Sequence, residues 1–264
     1  MLRKLLKYEI RATSRTFLPM YALLIVFALI NKFFIAVNSE TLRIPMIIAM
    51  SVFVIIIVGI CVMTLVVTIQ RFNKNLLTDE GYLSFTLPVK VHTQIDCKMI
   101  VALIWTLLSA IVAILSIFVL MINEKSIEMF QKFLSEFIPA FNSLGTGGYV
   151  IILEGILLVI LSTLCCAVTI YAAITIGNMS SKHRLLAGLG AYLGFGVIEQ
   201  IITSIIISCF GNRFELYFGN LRSAPQSVGT IEIALLWIIV YTLIFGAVYY
   251  FLTNWMLKKK LNLE

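Results

Sequence analysis

Hydrophobic residues in this chain form long uninterrupted runs, without the strict alternation that marks strands. Six runs stand out, at residues 17–37, 45–69, 99–122, 149–176, 185–209 and 231–256. Each reaches about 20 residues or more, the length that a helix needs to cross about 30 Å of hydrocarbon. Backbone groups in lipid must be satisfied within the chain, and runs that do not alternate argue against a barrel. The pattern therefore predicts an all-α polytopic membrane protein with six transmembrane helices.

Composition supports lipid as the surroundings of this chain. Hydrophobic residues make up 61% of it and charged residues 12%, whereas soluble domains are about half apolar and about a quarter charged. The longest joints between the runs have only about thirty residues, too few for a separate soluble domain. We therefore predict a single transmembrane domain over residues 1–264.

The distribution of Lys and Arg predicts the orientation of the spans. Fourteen of these residues lie in the N-terminal segment, the second and fourth joints and the C-terminal tail, and five lie in the other joints. By the positive-inside rule, both chain ends face the cytoplasm of a multi-pass protein in the cytoplasmic membrane. The net charge of +7 also attracts anionic lipid headgroups. Nucleic acid is not an expected partner, because the charges are spread over four short segments.

Two segments outside the spans have amphipathic helical patterns. Residues 2–16 place basic side chains on one face and apolar ones on the other, which predicts a helix lying in the plane of the cytoplasmic leaflet. Glu9 alone interrupts the apolar face, and it either reaches water or a neighbouring Lys, or pairs with a partner protein. Residues 127–141 form a second such pattern, predicted on the outer side, where the helix lies flat or caps a path through the protein.

The joint at residues 71–98 is richer in large apolar residues than a solvated linker should be. These residues are Leu76, Leu77, Tyr82, Leu83, Phe85, Leu87 and Val89. They must be covered by the chain's own helices, by the membrane or by another protein. Asp79, Glu80 and Gly81 predict a tight turn within the joint.

Two motifs carry a resemblance to a known family. The first is KLLKYEIRATSR at residues 4–15, directly before a span, and the second is TDEGYLSFTLPV at residues 78–89. Together with the six spans, they resemble the permease subunits of type-2 ABC exporters from Gram-positive bacteria. The resemblance implies an ATP-driven exporter whose ATPase is a separate subunit, and a dimer of permease subunits.

In that family, the N-terminal in-plane helix and the joint after the second span contact the ATPase. The resemblance therefore implies a set of coupling residues, with Glu9 as a further candidate contact. The residues of the joint are Asp79, Glu80, Gly81, Tyr82, Leu83, Phe85 and Leu87. The alternative is that this joint packs only on the chain's own cytoplasmic helix ends.

Carboxylates and glycines within the spans are further candidates for function. Glu154 in the fourth span and Glu199 in the fifth either line a translocation path that favours cationic substrates or form local hydrogen bonds. Gly190 and Gly194 form a G-x-x-x-G pair that lets helices approach closely, inside one subunit or between subunits.

The chain carries no recognisable catalytic, metal-binding or cofactor-binding pattern. His92 and His183 are its only histidines, and its five cysteines are scattered, with Cys97 predicted in the cytoplasmic joint. No G-x-x-x-x-G-K-[ST] phosphate loop occurs, so ATP hydrolysis is expected on another polypeptide. An ion-coupled carrier that uses Glu154 and Glu199 is one alternative, and an accessory membrane protein is another.

Overall fold

Seven helices account for nearly all of the residues that the computed structural model describes, which are 2–37, 42–77, 90–122, 124–180, 183–218 and 224–259. In chain order these helices are α1 (Leu2–Val37), α2 (Arg43–Leu77), α3 (Val91–Met121), α4 (Glu124–Ser143), α5 (Thr146–Gly177), α6 (Arg184–Phe218) and α7 (Ala224–Lys259). No β-strand occurs among the described residues. The prediction of an all-α fold is confirmed.

Six of these helices, all except α4, are long and apolar enough to cross a membrane, as judged over the described residues. Each predicted span coincides with one of them, and only the third extends past its helix, by one residue. At most 22% of the most apolar stretch of each helix is buried within the chain. Such large exposed apolar surfaces need lipid or protein to cover them. The chain is therefore a multi-pass membrane protein, and the orientation of its ends stays a prediction.

The chain divides into two compact units. One comprises Met1–Phe72 and His92–Leu134, and the other comprises Asn73–Val91 and Ser135–Glu264. Both units contain spanning helices, and the single transmembrane domain stays a prediction.

The first unit is built on a core shared by α1, α2 and α3. Helix α1 contributes Phe17, Tyr21, Leu24 and Ala28, which recur every three or four residues and so lie on one helical face. Their partners are Phe53, Ile56 and Ile60 of α2 and Val101, Trp105 and Leu120 of α3. The apolar periodicity of α1 thus packs its middle turns against α2 and α3.

Residues 2–16 and the first predicted span form one continuous helix, α1, which passes through Pro19. A proline inside a helix removes one backbone hydrogen bond, but the turns before it stay helical here because they pack on the core through Leu6 and Ile10. At 36 residues, α1 is roughly 54 Å long and exceeds the hydrocarbon thickness. The location of residues 2–16 in the plane of the membrane stays a prediction.

The second unit centres on α5, which packs against both α6 and α7. Helix α5 buries Ala167, Val168, Tyr171 and Ala172, whose mostly small side chains permit close packing. By contrast, no residue of α6 between 184 and 208 is buried. The rest of the chain therefore covers α6 only partly along this stretch.

The joint between the second and third spans is more helical than the sequence indicates. Helix α2 continues to Leu77 and α3 begins at Val91, so residues 71–77 and 91–98 are helical. Cys97, which the sequence places in a loop, lies in α3 and is buried, so that expectation was wrong. The reason is a buried face at helical spacing, formed by Gln94, Ile95, Cys97 and Lys98, which extends the apolar face of the span.

Helix α4 covers the predicted amphipathic segment 127–141. The rest of the chain leaves its apolar side chains Met129, Phe130, Phe133 and Ile138 exposed. An exposed apolar face of this kind suits a helix at a membrane interface. Whether it lies flat or caps a path stays open.

Candidate functional site

The candidate site residues fall into two groups. The seven candidate coupling residues of the joint, Asp79, Glu80, Gly81, Tyr82, Leu83, Phe85 and Leu87, lie outside the described residues. Glu9, Glu154 and Glu199 lie within them, on α1, α5 and α6. These three carboxylates occupy three different environments.

Glu9 belongs to an ion-pair cluster formed with Lys98 and Arg71. Lys98 Nζ donates a hydrogen bond to Glu9 Oε1, and Arg71 Nη1 lies 3.9 Å from Glu9 Oε2. The side chains of Lys98 and Glu9 are only 8% and 13% exposed. Charges withdrawn from water to this degree need each other, because desolvation penalises either one alone. Glu9 therefore joins the N-terminal turns of α1 to α3 and to the last turns of α2.

Three further contacts continue this attachment along α1 and α3. Trp105 Nε1 donates a hydrogen bond of 2.6 Å to Oγ1 of Thr13. The ring of Phe17 stacks on Trp105 with centroids 4.6 Å apart, and the Tyr21 hydroxyl lies 2.6 Å from Oγ of Ser109. The apolar face of residues 2–16 thus meets the chain's own α3.

Arg71 and Lys98 lie on either side of the joint between the second and third spans. They lie on the two helices that flank residues 78–89, the second motif of the resemblance. Leu76 and Leu77, two of the apolar residues that needed a cover, are buried within the chain at the end of α2. Asn178, beyond the end of α5, donates a 3.2 Å hydrogen bond to Oδ1 of Asn73. Part of the apolar joint is therefore covered by its own polypeptide.

A cavity of about 320 Å³ lies among α5, α6 and α7 in the second unit. Its lining combines the carboxylate of Glu199 with hydroxyl groups, the thiols of Cys165 and Cys166, and the rings of Tyr241 and Phe245. The volume is at the lower end of the roughly 300–1,000 Å³ of small-molecule sites. This space, called the mid-span cavity below, is large enough for a small ligand.

The depth of the mid-span cavity follows from the positions of its lining residues. Ser162 lies at the middle of α5, Gly196 at the middle of the span 184–208, and Phe245 at the middle of the span 231–258. Glu199 is fifteen residues from the start of α6, or roughly 22 Å along it. If these helices cross the membrane, the carboxylate lies near its centre, where ionisable groups are costly and usually functional.

Hydrogen bonds fix Glu199 in place. The Tyr249 hydroxyl donates to Glu199 Oε1 at 2.7 Å. One turn further along α6, Oγ1 of Thr203 lies 2.7 Å from the Tyr241 hydroxyl. Donation from a neutral hydroxyl stabilises negative charge on a carboxylate. The arrangement thus holds an acceptor group at the edge of the cavity.

Glu154 has a different environment from Glu199. Its side chain is buried and its Oε2 has no hydrogen-bond partner among the described residues. It does not line the mid-span cavity, since the nearest lining residue on α5, Ser162, is eight residues away, or roughly 12 Å along the helix. The two carboxylates that the sequence groups together are therefore not brought to one site.

The sequence does not reveal the partners of Glu9 and Glu199. Tyr241, Phe245 and Tyr249 recur every four residues in the last span, a spacing that places three rings on one helical face. That stripe is a recognisable signal for the cavity. Lys98 is one of the positive charges of the second joint that predict the orientation, and nothing in the sequence pairs it with Glu9. Among the described residues, no three His, Cys, Asp or Glu side chains form a cluster suited to a metal ion.

No protein-family model matches this chain, and neither the curated proteins nor the solved structures contain a significant match to it. The class of the protein therefore rests on its own fold and sites. Six apolar spanning helices and a cavity with a carboxylate in its lining, halfway along three of them, describe a multi-pass membrane protein with a transport-like architecture.

Proposed function

We propose that this chain is the membrane-spanning subunit of an ATP-driven exporter in the cytoplasmic membrane, working as a dimer with a separate ATPase subunit. The observation that carries the proposal is the position of Glu9. This residue belongs to the first motif of the resemblance, and it binds the two helices that flank the second motif. In this proposal, movement of either flanking helix reaches the first motif through Glu9.

The connection provides a route from the joint to the spans. A partner that moves residues 78–89 pulls on the end of α2 and the start of α3. Lys98 and Arg71 pass that movement to Glu9, and the Thr13 and Trp105 hydrogen bond passes it along α1. Buried ion pairs and packed rings respond as rigid contacts, because interiors of this kind are close-packed.

Energy for transport has to come from outside this sequence. The chain has no phosphate-loop motif, so nucleotide hydrolysis belongs to a partner chain in this proposal. In this proposal, the apolar residues that the sequence places from Tyr82 to Leu87 contact that partner. Aromatic residues in such a surface are common anchors of protein interfaces.

A second candidate function is an ion-coupled carrier. The observation that favours it is Glu199, a carboxylate beside a cavity halfway along three spans. Acidic residues at such depth serve as proton sites in many transporters. The two functions differ in their energy source: the exporter needs nucleotide hydrolysis, and the carrier needs an ion gradient.

Co-purification with the ATPase tests the exporter. The tagged chain, extracted from its native membrane in mild detergent, should retain a subunit that carries a phosphate loop and hydrolyses ATP. The double variant Tyr82→Ala/Leu83→Ala should lose most of that subunit. Its matched control is Met129→Ala/Phe130→Ala, an aromatic and apolar pair that is exposed on α4, predicted on the opposite side of the membrane.

Equal recovery of the ATPase subunit with both double variants would argue against the coupling surface. Transport by the purified chain alone in proteoliposomes, driven by a pH gradient without nucleotide, would overturn the exporter and favour the carrier. In that case Glu199→Gln should abolish the gradient-driven uptake.

A further inference from the structure

The mid-span cavity has an unbalanced charge. Glu199 supplies a carboxylate, and none of the described residues that line the cavity is Lys, Arg or His. A negative charge at this depth needs either a proton or a positively charged ligand to offset it. The cavity therefore has a chemical preference for positive charge that its own lining does not satisfy.

The rest of the lining indicates which kind of cation fits. An inorganic cation such as Ca²⁺ requires six to eight oxygen ligands at about 2.3–2.6 Å. This lining instead places the rings of Tyr192, Tyr241 and Phe245 near the one carboxylate. Aromatic faces attract ammonium and similar organic cations, and they also cover apolar substituents. Rings beside a single carboxylate favour an organic cation over a metal ion.

The geometry of the rings supports this assignment. Tyr241 and Phe245 have centroids 4.6 Å apart, and Phe195 and Tyr249 have centroids 4.8 Å apart. The Tyr241 hydroxyl is held by Thr203 on α6, and the Tyr249 hydroxyl is held by Glu199. These two hydrogen bonds hold the Tyr241 ring and the Glu199 carboxylate in place across helices. The site is therefore largely formed before a ligand arrives.

We propose that the mid-span cavity binds a lipophilic organic monocation. Glu199 offsets the charge of the ligand, and Tyr192, Tyr241 and Phe245 contact its apolar groups. The inference names a substrate class and in that sense rests on the proposed transport function. Binding itself requires no ATPase, because all of these residues belong to this chain.

Equilibrium binding to the purified chain in detergent tests the site, with tetraphenylphosphonium as the probe and protein-free micelles as background. The wild-type chain should bind the probe saturably. Glu199→Gln should weaken binding about tenfold or more, because the amide keeps the size of the side chain and the acceptor for Tyr249 but loses the charge. Tyr241→Leu should weaken binding by a smaller factor, about two- to fivefold.

Glu232→Gln is the matched control. It removes a carboxylate near the start of the last spanning segment, outside the cavity lining, and should leave the affinity within about twofold of wild type. Elution of each variant as a single peak in size-exclusion chromatography verifies its fold. Equal affinities of the wild type and Glu199→Gln, equal losses in Glu199→Gln and Glu232→Gln, or no saturable binding at all would overturn the proposal.

The outcome is separable from that of the exporter test. Probe binding that depends on Glu199, together with no retained ATPase subunit, would support the cavity and overturn only the exporter. A retained ATPase subunit with no probe binding would overturn only the cavity assignment.

Discussion

The indole Nε1 of Trp105 donates a 2.6 Å hydrogen bond to Oγ1 of Thr13, and the Thr13 hydroxyl in turn donates to the Glu9 carbonyl at 2.8 Å. Both side chains are buried, with exposed fractions of 6% and 1%. The hydroxyl therefore bridges α3 to the backbone of α1 one turn from the ion-pair cluster. This bridge makes the N-terminal turns of α1 part of the first unit's core.

Thr13→Val tests that bridge. Valine keeps the shape of threonine, so the buried indole N–H loses its acceptor without a change in packing. We expect the free energy of unfolding to fall by about 1–3 kcal/mol, the cost of an unsatisfied buried donor. The measurement is unfolding by SDS titration in mixed micelles, followed by far-UV circular dichroism.

The control for this prediction is Thr68→Val. The Thr68 hydroxyl donates to the Thr64 carbonyl of its own helix at 2.7 Å, so its loss leaves no indole unsatisfied. The control should cost less than about 1 kcal/mol. Losses of equal size in the two variants would show that the hydrogen bond between the helices adds nothing to stability.

The sequence alone predicts where the spans lie, but it does not predict which residues of different helices are in contact. Span positions follow from transfer of apolar side chains into lipid, a local property of each run, and they match the helices closely. The helical continuation of α2 to Leu77 and of α3 back to Val91 depends on tertiary burial, which the hydropathy of the joint does not report.

The candidate sites show the same division. Glu199 was selected because a carboxylate inside an apolar run is unusual, a signal that is visible in the sequence. Its partner Tyr249 is fifty residues away, and Lys98 is 89 residues from Glu9. Pairings at such separation depend on how the helices pack, which one sequence does not specify.

A second prediction concerns the ion-pair cluster. Lys98→Met removes the cation that donates a hydrogen bond to Glu9 Oε1, while the Glu9 carboxylate stays withdrawn from water. We expect a loss of about 3 kcal/mol in the free energy of unfolding. Adding Glu9→Gln to this variant removes the negative charge that Lys98 offsets, so the double variant should recover much of the loss.

Lys4→Met serves as the control, because Lys4 is exposed on α1 and should contribute less than about 1 kcal/mol. A double variant no more stable than Lys98→Met alone would contradict the pairing. The double variant also separates folding from assembly: if it is stable but retains less ATPase subunit, then Glu9 contributes to the partner surface as predicted.

The third prediction contrasts Gly177 with Gly190 and Gly194, the two glycines of the G-x-x-x-G pair. A methyl group added at Gly177 would lie 2.7 Å from the carbonyl oxygen of Arg184 and 2.8 Å from the backbone of Gly188. These are backbone atoms that cannot rotate away, so α5 and α6 must separate. Gly177→Ala should therefore destabilise the chain by about 1–3 kcal/mol, the usual cost of overpacking.

Gly190→Ala and Gly194→Ala should have the opposite effect in isolated subunits. Neither added methyl group meets any atom within 4 Å in this chain, while alanine favours a helix over glycine by up to about 1 kcal/mol. The free energy of unfolding of these two variants should therefore equal or exceed that of the wild type, whereas that of Gly177→Ala should be lower. Cross-linking between copies in native membranes provides a second measurement. If Gly190→Ala and Gly194→Ala abolish the cross-linking without loss of subunit stability, this face of α6 is the surface between subunits. Destabilisation of the isolated subunit by Gly190→Ala as large as that by Gly177→Ala would contradict the open face of α6.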